Sequence, residues 1–208
     1  IETLRGPARA DAAARDRFLG IMEGAASRLN RLVGDLLSLS RVASEERVRP
    51  NTKVDLRDLI ASTLRYLAPV AKERNVQLHY TGPDVPVEVT ADADQISQVL
   101  TNLVENAIKY GRHGGNVRVN LALAERDPAV RGPGARIQVS DDGPGIDPVH
   151  LPRLTERFYR ADSHRSRQLG GTGLGLAIVK HIINRHRGRL RVESELGQGS
   201  VFTVILPA

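Results

Sequence analysis

An α+β fold, a two-layer sandwich of helices on a mixed sheet preceded by one long helix, is what this 208-residue chain predicts. Three observations carry that reading. Residues 11–43 hold a heptad seam. Beyond residue 50, segments of helical period and short alternating segments follow one another. Glycine-rich stretches then interrupt the pattern before one more helix and two final strands.

Composition narrows the class. Apolar residues make up 40% of the chain, with 19 glycines besides, which fits a globular protein with a packed core. There is no run of about 18 or more apolar residues and no signal-peptide pattern, so no membrane contact is expected of this piece. It begins at Ile1, as a fragment would. The absence of cysteine excludes disulfides and thiolate metal sites. A formal charge of +6 favours an acidic partner or nucleotide phosphate. With aromatics at 3% and no recognition helix, nucleic acid is not an expected partner.

In the long helix, Phe18, Met22, Ala25, Leu29, Leu32, Leu36 and Leu39 step by four and three. Ile21, Val33 and Leu37 widen the stripe, which favours a bundle shared with a second copy of the chain over packing on its own downstream domain. Ile1 to Leu4 read as the end of a preceding helix, broken at Gly6 and Pro7, and Glu45 to Asn51 read as a hinge. Asp55 caps a helix to about Glu73 with Leu56, Leu59, Ile60, Leu64, Leu67 and Val70 buried. Strands are expected at Val76–Tyr80, with His79 outward, and at Val85–Val89. Asp92 to Tyr110 forms a helix ended by Gly111. Strands at Val117–Leu123 and Ile137–Val139 are joined by a loop at 127–134. A helix after Gly175 ends at Gly188, and strands at Leu190–Glu193 and Val201–Leu206 flank a turn at Gly197 to Gly199.

Three segments carry chemistry. On the helix ending at Tyr110, Ile96, Val99, Leu100, Leu103, Ala107 and Ile108 make one apolar stripe, while Asn102, Glu105, Asn106 and Lys109 share another face. Such a face suits a Mg²⁺ ion bridging a polyphosphate, because that cation needs only one or two protein oxygens. A solvated face explains it as well. Asp141 to Ile146 reads DDGPGI, either a β-turn or an Asp placed against an adenine amine with backbone close by. Gly171, Gly173 and Gly175 precede a helix N-terminus, where free N–H groups favour phosphate. The dinucleotide-binding context and the GxxxxGK phosphate loop are both absent. The succession of the three segments in one chain favours a nucleotide site over three coincident turns.

This set resembles the ATP-binding catalytic domain of sensor histidine kinases, in the superfamily of the gyrase, heat-shock-protein-90 and MutL ATPases. NLVENAIKY is similar to the N box, DDGPGI to the first glycine box, RFYR at Arg157 to Arg160 to the F box, GGTGLGL to the second glycine box and GQGSVFTVILP to the last. The likeness covers roughly Lys53 to Pro207, and LVGDLLSLSRV resembles the second helix of the dimerisation and phosphoacceptor domain. IETLRGPA also resembles phosphate-regulon sensor kinases.

The resemblance implies ATP and Mg²⁺ as ligands. Asn106 helps hold Mg²⁺, Asn102 supports the metal and phosphate site, and Glu105 orients or accepts the substrate proton. Lys109 meets phosphate, Tyr110 lies near the nucleotide, and Asp141 binds the adenine amine with Gly143 and Gly145 leaving room. Gly171, Thr172, Gly173, Leu174 and Gly175 form the phosphate loop. Phe158 anchors a lid from about Asp162 to Gly170, from which Arg165 or Arg167 reaches the γ-phosphate; Ser163 stands where many relatives have Lys.

One departure bears on activity: no HELRTP-like acceptor motif is present, and the resemblance puts it upstream of Ile1. The six histidines, His79, His113, His150, His164, His181 and His186, lack that context and are expected at the surface or in the lid, and none pairs at i, i+4 for zinc. The reading is therefore residues 1–49 as the end of a dimerisation domain and 50–208 as the ATP-binding domain. It implies the cytoplasmic part of a membrane-anchored bacterial sensor, with a homodimer partner through the N-terminal helix and a response regulator as receiver. A non-catalytic nucleotide-gated dimerisation module and a related superfamily ATPase are the alternatives.

Overall fold

The computed structural model describes residues 11–44, 49–130, 132–161 and 171–208. The expected stub at Ile1 to Leu4, most of the hinge, and the lid with Arg165, Arg167 and His164 lie outside them. Four helices and seven strands are described: α1 Ala12–Ser44, β1 Lys53–Asp55, α2 Leu56–Glu73, β2 Gln77–Thr81, β3 Glu88–Thr90, α3 Ala93–Tyr110, β4 Asn116–Asp127, β5 Gly132–Asp141, α4 Gly175–Arg185, β6 Arg189–Glu195 and β7 Gly199–Pro207. A 3-10 helix spans Pro148–Arg153.

The main sheet runs β2-β4-β5-β7-β6, with β2 parallel to β4 and every other pair antiparallel. Alternation puts Val117, Val119 and Leu121 of β4, Ala135, Ile137 and Val139 of β5, and Phe202, Val204 and Leu206 of β7 on one face, all buried. Helices α2, α3 and α4 cover that face, with α3 in contact with both others. The expected mixed α+β sandwich is the observed one.

The differences have local causes. The β4–β5 hairpin extends past Gly132 and Gly134, so the loop expected at 127–134 shortens to a turn around residues 128–130. The strand expected at Val85–Val89 contracts to β3, which pairs with the unforeseen β1 in a separate two-stranded sheet. Asp55 binds both segments, accepting from the N–H of Arg57 and that of Val87, each at 3.0 Å. Gly111 ends α3 as expected, with φ −62° rather than in a left-handed turn; a Cβ there would stand 2.4 Å from the Ala107 carbonyl. After α4 the left-handed position falls on Arg187 (φ 56°), and Gly188 instead lets the Ile205 carbonyl approach.

Helix α1 divides along its length. Leu39 and Val42 are buried in the core of the following domain, and Leu32 packs against it. Ile21, Leu29 and Leu37 are more than half exposed. The last turns thus pack on the chain's own domain, and the earlier seam remains uncovered. Among the described residues no helix is long and apolar enough to cross a membrane.

One polar cluster ties α3 to α4. The Asp92 carboxylate caps α3 by accepting from the Gln95 N–H at 3.1 Å, and it pairs with the buried Arg185 guanidinium at 3.2 Å. His186, expected at the surface, is buried. Its Nε2 accepts from the Asp92 N–H at 3.0 Å, and its Nδ1 donates to the Ile182 carbonyl at 2.8 Å. Accepting at Nε2 while donating at Nδ1 requires the neutral ring, because a protonated imidazole has no acceptor to offer Asp92. Burial pushes the His186 pKa below its ordinary value, the Ile182 bond opposing and the Arg185 charge adding to that shift.

Protonation of His186 is therefore easier in the unfolded chain, so its contribution to stability is complete above pH ~6.5 and is lost as pH falls below it. Chemical denaturation at pH 7.5 and 5.5 should show wild type losing more stability than His186→Gln over that interval, at a slope of at most about 1.4 kcal/mol per pH unit from this proton. Equal losses would remove His186 from the account.

Candidate functional site

A cavity of about 730 Å³ opens between α3, the segment after β5 and the glycine loop before α4. That volume suits a nucleotide-sized ligand. Helix α3 builds its floor because its eight buried residues, Gln95, Ile96, Val99, Leu100, Leu103, Val104, Ala107 and Ile108, face the sheet and flanking helices. The rotation that buries them turns Asn102, Glu105, Asn106, Lys109 and Tyr110 to the cavity. Lys109 Nζ lies 2.6 Å from Glu105 Oε1, so the phosphate-binding and proton-handling candidates pair with each other. Asn102 sits where its Oδ1 would be 3.3 Å from a Cβ on Gly175, and its Nδ2 is buried without a hydrogen-bond partner. A donor so placed is satisfied by an incoming oxygen.

Asp141 ends β5 at the cavity wall, with Oδ1 accepting from the Gly143 N–H at 2.9 Å. Burial raises its pKa, the hydrogen bonds from Gly143 and Ser200 opposing this and the neighbouring Asp142 reinforcing it. At Asp142 burial also pushes the pKa up, but hydrogen bonds from the Asn116 side chain and backbone prevail and hold it low. The two adjacent carboxylates are thereby separated in character, Asn116 occupying Asp142 while Asp141 faces the cavity.

The first glycine segment interlocks with the β6–β7 turn. Gly197 N–H donates to the Pro144 carbonyl at 2.8 Å, and Ile146 N–H donates to Ser194 Oγ at 2.8 Å. Gly145 has φ +72°, and a Cβ there would fall 2.0 Å from the Glu195 carbonyl oxygen. A second junction forms at Gly173 (φ +74°), whose carbonyl accepts from the Phe158 N–H at 2.8 Å.

Most of the expected residues meet here. Asn102, Glu105, Asn106, Lys109, Tyr110, Asp141, Gly145, Gly171, Thr172, Gly173 and Gly175 all line the cavity. Gly143 does not; it is buried behind Asp141 and orients that carboxylate. Leu174 is fully buried in the core at the start of α4. Phe158 is 58% exposed and does not line the cavity, and φ +63° turns the chain there. Its anchoring is through backbone, and the next two residues of RFYR, Tyr159 and Arg160, turn inward instead. Tyr159 Oη meets His150 Nδ1 at 2.6 Å under the Arg153 guanidinium, and Arg160 donates to the Gly171 carbonyl. The RFYR match spans these two residues, but a role was expected of Phe158 alone. His150, and Arg31, Asp35 and Tyr66 from α1 and α2, also line the cavity with no local sequence signal to mark them.

Residues 91–208 match the family described as histidine kinase-, DNA gyrase B-, and HSP90-like ATPase. The chain belongs to that family, and this part of it is an ATP-binding catalytic domain of the kind found in two-component sensor histidine kinases. The phosphate regulon sensor protein PhoR of Pseudomonas aeruginosa is 39% identical over 187 residues, covering 90% of this chain and 40% of PhoR. The chain thus spans less than half the length of that relative. Full-length ShkA in complex with AMPPNP superposes with a TM-score of 0.73 at 26% identity, over 92% of this chain and 38% of ShkA. ThkA in complex with the response regulator protein TrrA gives 0.70 at 25% identity, over 95% of this chain and 52% of ThkA.

The glycine contacts yield a test. Gly145→Ala adds both a left-handed backbone and a collision with backbone, whereas Gly114 (φ +71°) has open space around its Cβ position. Gly114→Ala should cost about 1–2 kcal/mol, and Gly145→Ala at least about 2 kcal/mol more, by urea denaturation. Equal costs would mean that the interlocked loops are not a rigid wall.

Proposed function

We propose that this chain is the kinase core of a two-component sensor histidine kinase, with residues 1–49 the end of its dimerisation domain and 50–208 its catalytic domain. It would transfer the γ-phosphoryl group of ATP to a histidine and thence to a response-regulator Asp. The observation that supports this most is the convergence of α3's polar face, Asp141 and the Gly171–Gly175 loop on one cavity.

In this reading Asp141 accepts a hydrogen bond from the adenine amine, held at the right angle by Gly143, while Gly145 lets the opposing Glu195 carbonyl close up and keep that wall in place. The Gly171, Thr172, Gly173 and Gly175 backbone, at the start of α4, receives the phosphates. Asn106, with Asn102 beside it, would hold Mg²⁺; their neutral side-chain oxygens are the ligand type that ion takes. When bound, the ion neutralises phosphate charge and fixes its orientation. Lys109 moves from Glu105 to phosphate, which frees Glu105 to orient the acceptor imidazole or take its proton. The Arg165 and Arg167 assignments rest on the family resemblance. The uncovered apolar face of α1, with Leu29 and Leu37 exposed, supports a homodimer through that helix. The likeness to PhoR, a sensor protein, and to ThkA, seen in complex with a response regulator, supports a signalling role with a response regulator, and the cytoplasmic placement rests on the family resemblance.

The test is phosphoryl transfer from radiolabelled Mg²⁺-ATP to a separate kinase chain that carries the acceptor histidine but has a disabled ATP site. Label should appear on that partner, and Asn106→Asp should lower the rate by roughly 100-fold or more with an unchanged melting temperature. An unchanged rate would sink the Asn106 assignment. ATP binding with no transfer would favour a nucleotide-gated dimerisation module, and sustained hydrolysis without any acceptor would favour an ATPase.

A further inference from the structure

The long helix supplies part of the cavity wall. Arg31 and Asp35, one turn apart on α1, both line it. Several contacts hold this stretch of helix on the domain, among them Leu39 and Val42 buried in the core, Ser38 Oγ donating to Gln98 Oε1 of α3 at 2.9 Å, and Asp35 Oδ2 accepting from Thr172 Oγ1 at 2.7 Å. The last of these reaches into the glycine loop. Thr172 is only 7% exposed, and its oxygen also accepts from the Leu174 N–H at 3.3 Å. A hydroxyl has a single hydrogen to donate. With its oxygen turned to Leu174 and its hydrogen given to Asp35, Thr172 has none left for another anion.

Resting on the reading of this cavity as an ATP site with phosphates at the glycine loop, we propose that Asp35 is a specificity-determining residue contributed by α1. Its carboxylate and the nucleotide phosphates compete for the Thr172 hydroxyl and for the same end of the cavity. Docking of α1 and phosphate occupancy therefore oppose each other, and the opposition is reciprocal: phosphate weakens the helix contact by the factor that the contact weakens phosphate. Base and sugar do not enter this competition, which gives it a signature.

Titrations of the wild-type chain and Asp35→Asn with ATP, ADP and adenosine test it. The amide keeps the shape of the carboxylate without its charge. Asp35→Asn should bind ATP and ADP roughly five-fold more tightly or better, with adenosine unchanged. In the wild type, saturating ATP should speed amide hydrogen exchange in residues 32–42 of α1, and adenosine should not. Wild-type affinity for ATP retained unaltered in the variant, an equal gain for adenosine, or exchange in α1 indifferent to ATP would each overturn the proposal. Weaker ATP binding by Asp35→Asn would overturn it too, showing a carboxylate that helps hold a cation. A wild-type chain that binds no ATP would instead refute the reading of the site, and the competition with it.

Discussion

Helix α3 can be buried on one side only, and the rest of the structure depends on that constraint. Seven of the eight buried positions on it are apolar, and removing such side chains from water is worth about 1.5–3 kcal/mol for each large one. No rotation of the helix keeps that gain while hiding Asn102, Glu105, Asn106 and Lys109, because burying them unpaired would cost a comparable amount for each Asn and far more for the charged Glu105 and Lys109. The polar row is therefore held at the surface of the layer, where the sheet end and the glycine loop can close around it. Asp92 fixes the start of the helix against Arg185 and His186 at the end of α4. Loss of the carboxylate would leave Arg185 as a buried charge without this partner, so the cap and the packing of α3 on α4 stand together.

The other walls are made of backbone in close approach. Gly145 and Gly199 each occupy a place where a Cβ would fall 2.0 Å from a carbonyl oxygen of the opposing segment. The DDGPGI segment and the β6–β7 turn are thus fitted to each other, and Asp141 inherits its position from that fit. Gly173 and Phe158 repeat the device at the glycine loop, with a positive φ on both sides of one hydrogen bond. Residues that look like turn formers in the chain are contact points between turns in the fold. Helix α1 then adds an ionisable wall, held on the domain near its end by Leu39 and Val42 in the core and by the polar contacts of Ser38 and Asp35.

Much of this was legible in the sequence, and the exceptions are instructive. Periodicity placed α1, α2, α3 and α4 to within a residue or two, because each carries an apolar stripe backed by a cap or a glycine. It failed where pairing partners decide. The strand β1 has three residues and no period of its own; it exists because β3 pairs with it. The 127–134 segment carries loop residues, yet hairpin pairing draws Gly132 and Gly134 into β5. In the site, residues within the matched segments mostly converged as expected. Phe158 did not, because its φ of +63° could not be read from a motif, and the inward roles passed to Tyr159 and Arg160. Asp35, Tyr66 and His150 were invisible for a different reason: they reach the cavity through tertiary packing of elements far apart in the chain.

The account rests finally on adenine recognition at one end of the cavity and phosphate at the other. Calorimetric titration with ATP and with inosine triphosphate tests this most directly, since the second nucleotide places a carbonyl where adenine carries its amine. ATP should bind at one site per chain and inosine triphosphate at least about 10-fold more weakly, because an Asp141 acceptor then faces another acceptor and both are left unpaired. Equal affinities, or no binding of ATP, would contradict the central claim.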